Sequence, residues 1–417
     1  AGSAACALAP SMEGLVIGRA VQGLGGGGLM VLSQAIVADV VPPRRRALYL
    51  SIMGVAYAVP MLAGPLLGGF FADAVGWRWA FWFDVPLALA AIVIAAVFLP
   101  KPRRTAERAP FDVGGAVTLV AAVTALTLAT LWGGNEHAWT SPTTGLLVAT
   151  AVASALFVLA ERRAREPLMA LSLFKNRNFD ISIVASSITM FVMIGVLTYL
   201  PTYFQIVEGL APEQAGLMTV PMMAGVLITA VGTGFLATKT GRYKWMPIAS
   251  CAVAAVGFVL LSRLTPDTSL LVTGVFLFVL GFGIGLGQQI LVLIVQNEFP
   301  HAIVGTATAA NNFFRQIGST LGASLVGALF TSRLTADLAA KLPHVDNINM
   351  NRITPDFVQH LDSGTRAIIT SAYSDALVPI FLYVVPLLVV GFVLMLTLKE
   401  HPLATKVNHT GHPGDTV

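Results

Sequence analysis

From end to end the chain repeats one pattern: a long run of apolar residues, then a short polar or basic break. Runs of about 20 apolar residues are what a helix rising ~1.5 Å per residue needs to cross a hydrocarbon core of roughly 30 Å. After a break at Pro10 the pattern predicts spans over residues 12–40, 46–72, 78–99, 113–132, 143–161, 179–206, 214–237, 246–263, 269–296, 304–331 and 376–398. That is eleven, preceded by AGSAACALAP, which reads as the last part of another helix, so further helices upstream are expected. Membrane barrels are built from alternating strands of about ten residues, which this sequence does not resemble. The predicted fold class is therefore all-α and polytopic.

Composition agrees with the pattern. Of 417 residues 56% are hydrophobic and 11% charged, with a mean hydropathy of +0.78; ordinary soluble domains carry about a quarter charged residues. The net charge of +4 would suggest nucleic acid in a soluble protein, but the basic residues lie in short breaks and sort by side. Seventeen, including Arg44, Arg45, Arg46, Lys101, Arg162, Arg163, Lys239, Arg242, Lys244 and Lys399, fall on one side, and six fall on the other. By the positive-inside rule the first side, with the C-terminal tail, is cytoplasmic. The bilayer is the expected partner, with no nucleic acid. The segment 332–375 is too polar to span and is expected to be an extracytoplasmic excursion, with Leu334, Leu338, Leu342 and Leu361 on short interfacial helices. Cys6 and Cys251 sit alone in apolar stretches and point to neither a disulfide nor a metal.

A shift of 258 positions, without gaps, superposes Gly23 on Gly281, Gly25 on Gly283, Gly27 on Gly285, Pro42 on Pro300, Gly64 on Gly322 and Gly69 on Gly327. The paired spans stand eight helices apart, an even number, so both copies cross in the same sense. Two parallel six-helix halves would stand six apart, which leaves two inserted helices, 113–132 and 143–161. Residues 1–99 are then the remainder of a first bundle, 100–178 a linker carrying the inserted pair, and 179–417 a second, six-helix bundle.

Inside the spans, a few polar and glycine-rich strings stand out. Arg19, Gln22 and Gly23 form Arg-x-x-Gln-Gly two turns into a helix, where a charge costs at least a few kcal/mol unless it meets a partner or a wet cavity. Gly64, Pro65, Gly68 and Gly69 give x-x-x-x-G-P-x-x-G-G, with Pro60 at the first position. WRWAFWFDVP at 77–86 ends in Asp84 and Pro86, and GFLATKTGRYK contains Gly234, Lys239, Gly241 and Arg242. In this order the strings resemble the major facilitator superfamily, and the W-R-W string resembles its 14-helix drug/proton antiporter subfamily. The resemblance covers nearly all of the chain. It departs where Asp84 replaces the usual Asn, Thr238 the usual Asp, and Pro60 the first Gly of the antiporter motif.

The resemblance implies a proton-coupled exporter of amphipathic drugs or other small molecules, expected as a monomer in the cytoplasmic membrane. It would use no cofactor beyond the proton gradient and no metal. Arg19 and Gln22 are implied in proton coupling, with Asp84 as a candidate acid; a coupling acid upstream of the chain is the alternative. Gly64, Pro65, Gly68 and Gly69 are implied in helix bending, and Gly234, Lys239, Gly241 and Arg242 in the conformational loop. A drug cavity is apolar with few polar groups. Its candidates are the aromatic Tyr199 and Tyr203 and the buried polar Gln288, Gln289, Asn311, Asn312 and Arg315, for which interhelical hydrogen bonding is the competing role. An exporter of an endogenous lipid, siderophore or self-made antibiotic remains open. A membrane-embedded enzyme is disfavoured, since the spans hold no paired-acid, H-E-x-x-H or G-x-S-x-G motif.

Overall fold

A computed structural model describes residues 1–98, 112–135, 141–164, 166–341 and 355–403. Its regular elements are helical throughout. The first group comprises α1 (Gly2–Leu8), α2 (Met12–Val40), α3 (Pro43–Phe70) and α4 (Arg78–Phe98). Then come a hairpin, α5 (Val113–Asn135) and α6 (Ser141–Arg163), and a second group with α7 (Arg177–Leu197), α8 (Leu200–Ile206), α9 (Pro212–Leu217), α10 (Val220–Thr240), α11 (Trp245–Leu261), α12 (Leu270–Glu298), α13 (His301–Lys341), α14 (Pro355–Gln359), α15 (Ser363–Tyr383) and α16 (Val385–Leu396). Each predicted span falls on a helix or a broken pair. Eight segments among the described residues are long and apolar enough to cross a membrane, and α11 is a shorter apolar helix.

The breaks have local causes. Pro201, Pro221 and Pro386 stand at the first turns of α8, α10 and α16, where a missing N–H costs least, so α7–α8, α9–α10 and α15–α16 each read as one interrupted crossing. A π-helical turn, Phe71–Val75, follows α3, and Gly76 at φ 96° reverses the chain into α4.

The 332–375 segment departs from expectation. Helix α13 continues to Lys341 and α15 starts at Ser363. Leu334 and Leu338, four residues apart on one face, are buried in the large core of the second group beside Val358, Ile369 and Tyr373 rather than lying on interfacial helices. Leu361 packs against the same core, and Leu342 lies outside the described residues. The segment is polar on average, yet Leu334 and Leu338 dock the end of α13 through an apolar stripe.

Behind α7, α10 and α12 the chain after α16 is clamped. Glu298 accepts from Asn176 Nδ2 (3.1 Å) and Asn178 Nδ2 (2.7 Å) and lies 3.0 Å from His401 Nδ1. Tyr243, fully buried, donates its hydroxyl to the His401 carbonyl at 2.8 Å, and burial pushes that hydroxyl up to about 12.

Candidate functional site

Small residues set up the first polar cluster. Helix α1 crosses α2 backbone to backbone: a Cβ on Gly18 would lie 2.9 Å from Cys6 Sγ, and one on Gly2 would collide with the backbone of Gln22. That approach brings Ser3 to Gln22. Arg78, at the start of α4, donates to the Ala9 carbonyl at 3.0 Å and stacks 4.4 Å over Trp77, which fixes α4 against α1 and sets Asp84 at the same level.

Arg19, Gln22 and Asp84, which the sequence marks separately, therefore meet. Arg19 Nη1 donates to Gln22 Oε1 at 2.8 Å, and Gln22 Nε2 donates to Ser3 Oγ (2.9 Å) and Asp84 Oδ2 (3.2 Å). Ser3 Oγ donates to the same carboxylate oxygen at 3.4 Å. Arg19 itself is exposed, its guanidinium 5.9 Å from the Phe81 ring, one turn of α4 before Asp84. Gln22 thus relays between a permanent cation and a carboxylate that holds two neutral donors. Ser3 carries no signal of its own in the sequence; it is one more small residue in a small-residue helix, and only the Gly2–Gln22 approach gives it a role.

The antiporter string lies at the end of α3. Among the described residues a Cβ at Gly64 or Gly68 meets open space; the surroundings of Pro65 and Gly69 lie outside the description. The loop string ends α10: Lys239 is in its last turn and Gly241, at φ 72°, takes the left-handed C-cap that a side chain would strain. Arg242 N–H donates to Thr240 Oγ1 at 3.2 Å. Gly234 sits against α3, where a Cβ would overlap Ser51 Oγ. Arg44 donates from Nε and Nη2 to the carbonyls of Thr238 and Lys239, both at 3.0 Å, so a guanidinium meets the negative end of α10 where the familiar string has an Asp.

A seam of amides continues from there. Arg46, buried, donates to the carbonyls of Ala38 (2.6 Å) and Val41 (2.9 Å), closing the end of α2, and to that of Gln296 on α12 (3.4 Å). Asn312 Nδ2 donates to Gln34 Oε1 at 2.6 Å, and Gln296 Nε2 to the Gln34 carbonyl at 3.3 Å. Gln34 is a residue that sequence reading passed over, although a lone Gln in an apolar span was signal enough. Among the described hydrogen bonds, those from Gln34, Arg44 and Arg46 join α2 and α3 to the second group, at the end where α2 turns into α3.

The remaining cavity candidates separate into two kinds. Gln289 is buried beside Gly54, where a Cβ would lie 3.0 Å from its Nε2, and its Oε1 accepts no hydrogen bond. Asn311 is fully buried with neither amide atom bonded, one turn before the buried Arg315, and Gln288 is half-buried. Tyr199 donates to the Ala323 carbonyl at 3.1 Å, and Tyr203, 1% exposed, stacks among Phe204 and Tyr373 in the core of the second group.

Residues 1–323 match the family model described as Major Facilitator Superfamily. The chain belongs to the major facilitator superfamily. An uncharacterized MFS-type transporter of Mycobacterium tuberculosis (strain ATCC 25618 / H37Rv) is 40% identical over 403 residues, 96% of this chain and 58% of that protein. The chain thus spans a little over half the length of that relative. The multidrug transporter protein MdtP of Bacillus subtilis (strain 168) is 32% identical over 378 residues, 90% of this chain and 70% of that protein. Multidrug resistance protein 3 of the same strain is 33% identical over 339 residues, 81% and 66% respectively. A crystal structure of a bacterial homolog to the human lysosomal transporter Spinster, inward-facing and occupied, is 15% identical, covers 88% of this chain and 91% of that one, and has a TM-score of 0.49. In this major facilitator chain, then, the amide seam and the Arg19–Gln22–Asp84 cluster lie in a multi-pass helical membrane protein whose relatives include multidrug transporters.

Proposed function

We propose that this transporter is a proton-coupled exporter of amphipathic small molecules, of the 14-helix drug/proton antiporter type, in the cytoplasmic membrane with its C-terminal tail cytoplasmic. The observation that carries the reading is the Arg19–Gln22–Asp84 relay: a titratable carboxylate, bonded by neutral donors and linked through one amide to a permanent cation, about two turns from the end of a span. The names of the two Bacillus subtilis relatives support the substrate class. Residues 100–178 are read as a linker carrying the two inserted helices, and the transporter works as a monomer without a cofactor.

The test is dye efflux driven by an imposed pH gradient in proteoliposomes, normalised to inserted protein. Arg19→Ala is expected to lose most coupled efflux and Arg19→Lys to keep part, since Lys retains the charge without the planar fork. Asp84→Asn should still bind dye but not move it against a gradient. Wild-type rates in Arg19→Ala would reassign the guanidinium to packing and remove the coupling argument.

A further inference from the structure

The hairpin α5–α6 carries two acids that the relay does not use. Asp112 directly precedes α5, and Glu161 is in the last turn of α6. Each employs one oxygen on a backbone amide: Gly115 N–H donates to Asp112 Oδ1 at 2.8 Å, and Met169 N–H donates to Glu161 Oε2 at 3.1 Å. The other two oxygens, Asp112 Oδ2 and Glu161 Oε1, are shielded from solvent and accept no hydrogen bond. Both converge on the bare α-carbon of Gly115. A Cβ there would collide with Asp112 Oδ2 and lie 3.0 Å from Glu161 Oε1. Glu161 is 4% exposed.

Two ionised carboxylates converging in a buried slot repel, and a buried acceptor left unpaired costs about 1–3 kcal/mol. Among the described residues the charged groups nearby do not relieve them. Arg162 and Arg163 follow Glu161 on α6 and so point to other faces; Glu166, Lys175, Arg177 and Asp180 lie on the segment leading into α7; α5 has no further charge. Helix α13, packed on α5, contributes Arg315, Arg333, Asp337 and Lys341 among its described side chains. None of these donates to either free oxygen. A single proton on either carboxyl would remove the repulsion between two charges at this point.

We propose that Asp112 and Glu161, whose free oxygens both face Gly115, together hold one proton at a site separate from the Asp84 relay. Its place gives it a consequence. Met169, held by Glu161, is buried with Phe157, Leu173, Phe179 and Val295, where the hairpin meets α7 and α12. The shared proton keeps the hairpin closed on that junction, and its release sets two charges face to face there.

Infrared difference spectroscopy on the purified protein reads the proton directly as the C=O stretch of a protonated carboxyl. Glu161→Gln and Asp112→Asn each keep the oxygen that accepts the backbone N–H and supply an amide donor in place of the proton, so the local fold has what it needs. The expected result is one protonated-carboxyl band at neutral pH that is lost in either variant and kept in Asp84→Asn. Should Glu161→Gln fail to fold, Asp112→Asn alone decides. An unchanged band in the folded variants overturns the proposal. So does a missing band in a wild-type protein whose melting temperature rises with added sodium or calcium, which would make the site a cation site.

Discussion

Helices α2 and α12 carry the same glycine spacing, 258 residues apart, in opposite surroundings. On α12 the stripe is where neighbouring backbones touch. A Cβ on Gly281 would collide with the Met222 carbonyl of α10, one on Gly283 with Ala254 of α11, and one on Gly287 would sit 2.7 Å from Ser250 Oγ. On α2, a Cβ at Gly23, Gly25, Gly26, Gly27 or Gly28 meets no described residue within 4 Å. The same contrast runs through whole helices: Gly18, Gln34 and Ala38 are the buried residues recorded for α2, while α12 buries most of its length from Thr273 to Gln296. Glycine in a membrane helix is a capacity for close approach. Among the described residues the α12 copy uses that capacity and the α2 copy does not.

The largest expected effect tests that contrast with one substitution at two places. Gly283→Ala drives a methyl into backbone atoms of α11 that cannot rotate away, and overpacking of this kind costs about 1–3 kcal/mol. Among the described residues Gly25→Ala has room, and it gains helix propensity, up to about 1 kcal/mol. Thermal unfolding in detergent should therefore move the two variants in opposite directions. A loss in Gly25→Ala as large as that in Gly283→Ala would mean that the α2 stripe has a close neighbour, and the contrast would fail.

The unequal packing also explains what could be read from the sequence. The spans were legible because each is a run of apolar residues, a one-dimensional property. The continuation of α13 was not, because Leu334 and Leu338 are docked by a stripe inside a segment whose average is polar. Arg19, Gln22 and Asp84 were legible singly, as polar residues where lipid should be. Their meeting was not, since it depends on how closely Gly2 and Gly18 let α1 ride on α2, and on Arg78 setting the level of α4. Tyr203 shows the converse limit: an aromatic residue in a span reads equally well as cavity lining or core, and here it is 1% exposed in the core.

A middle-sized effect is expected at the seam, where α2 does have a partner. The 2.6 Å bond from Asn312 to Gln34 is buried, and Gln34 Nε2 is already without a partner. Asn312→Ala should cost about 1 kcal/mol, between the ~0.6 kcal/mol average for interhelical bonds in membranes and the roughly 1–3 kcal/mol of a stranded buried group. A double-mutant cycle with Gln34→Ala measures the coupling, and a value near zero would show that the seam is held by helix packing alone.

The smallest effect concerns the contact between Arg44 and the end of α10. Replacing Thr238 by the Asp of the familiar string adds a negative charge at a helix C-terminus, which the macrodipole disfavours by about 0.3–1 kcal/mol. It also places a carboxylate on a residue whose carbonyl Arg44 already holds at 3.0 Å, and an ion pair at such a partly exposed site is worth about 0–1 kcal/mol. These terms oppose at equal size, so Thr238→Asp should leave the melting temperature nearly unchanged, while Arg44→Ala/Thr238→Asp should be less stable than Arg44→Ala alone. The sign of that second difference is the decisive reading. If Thr238→Asp is harmless in the Arg44→Ala background, the guanidinium does not compensate charge at the end of α10, and the contact between the groups at this point is only the close packing of Gly234 against Ser51.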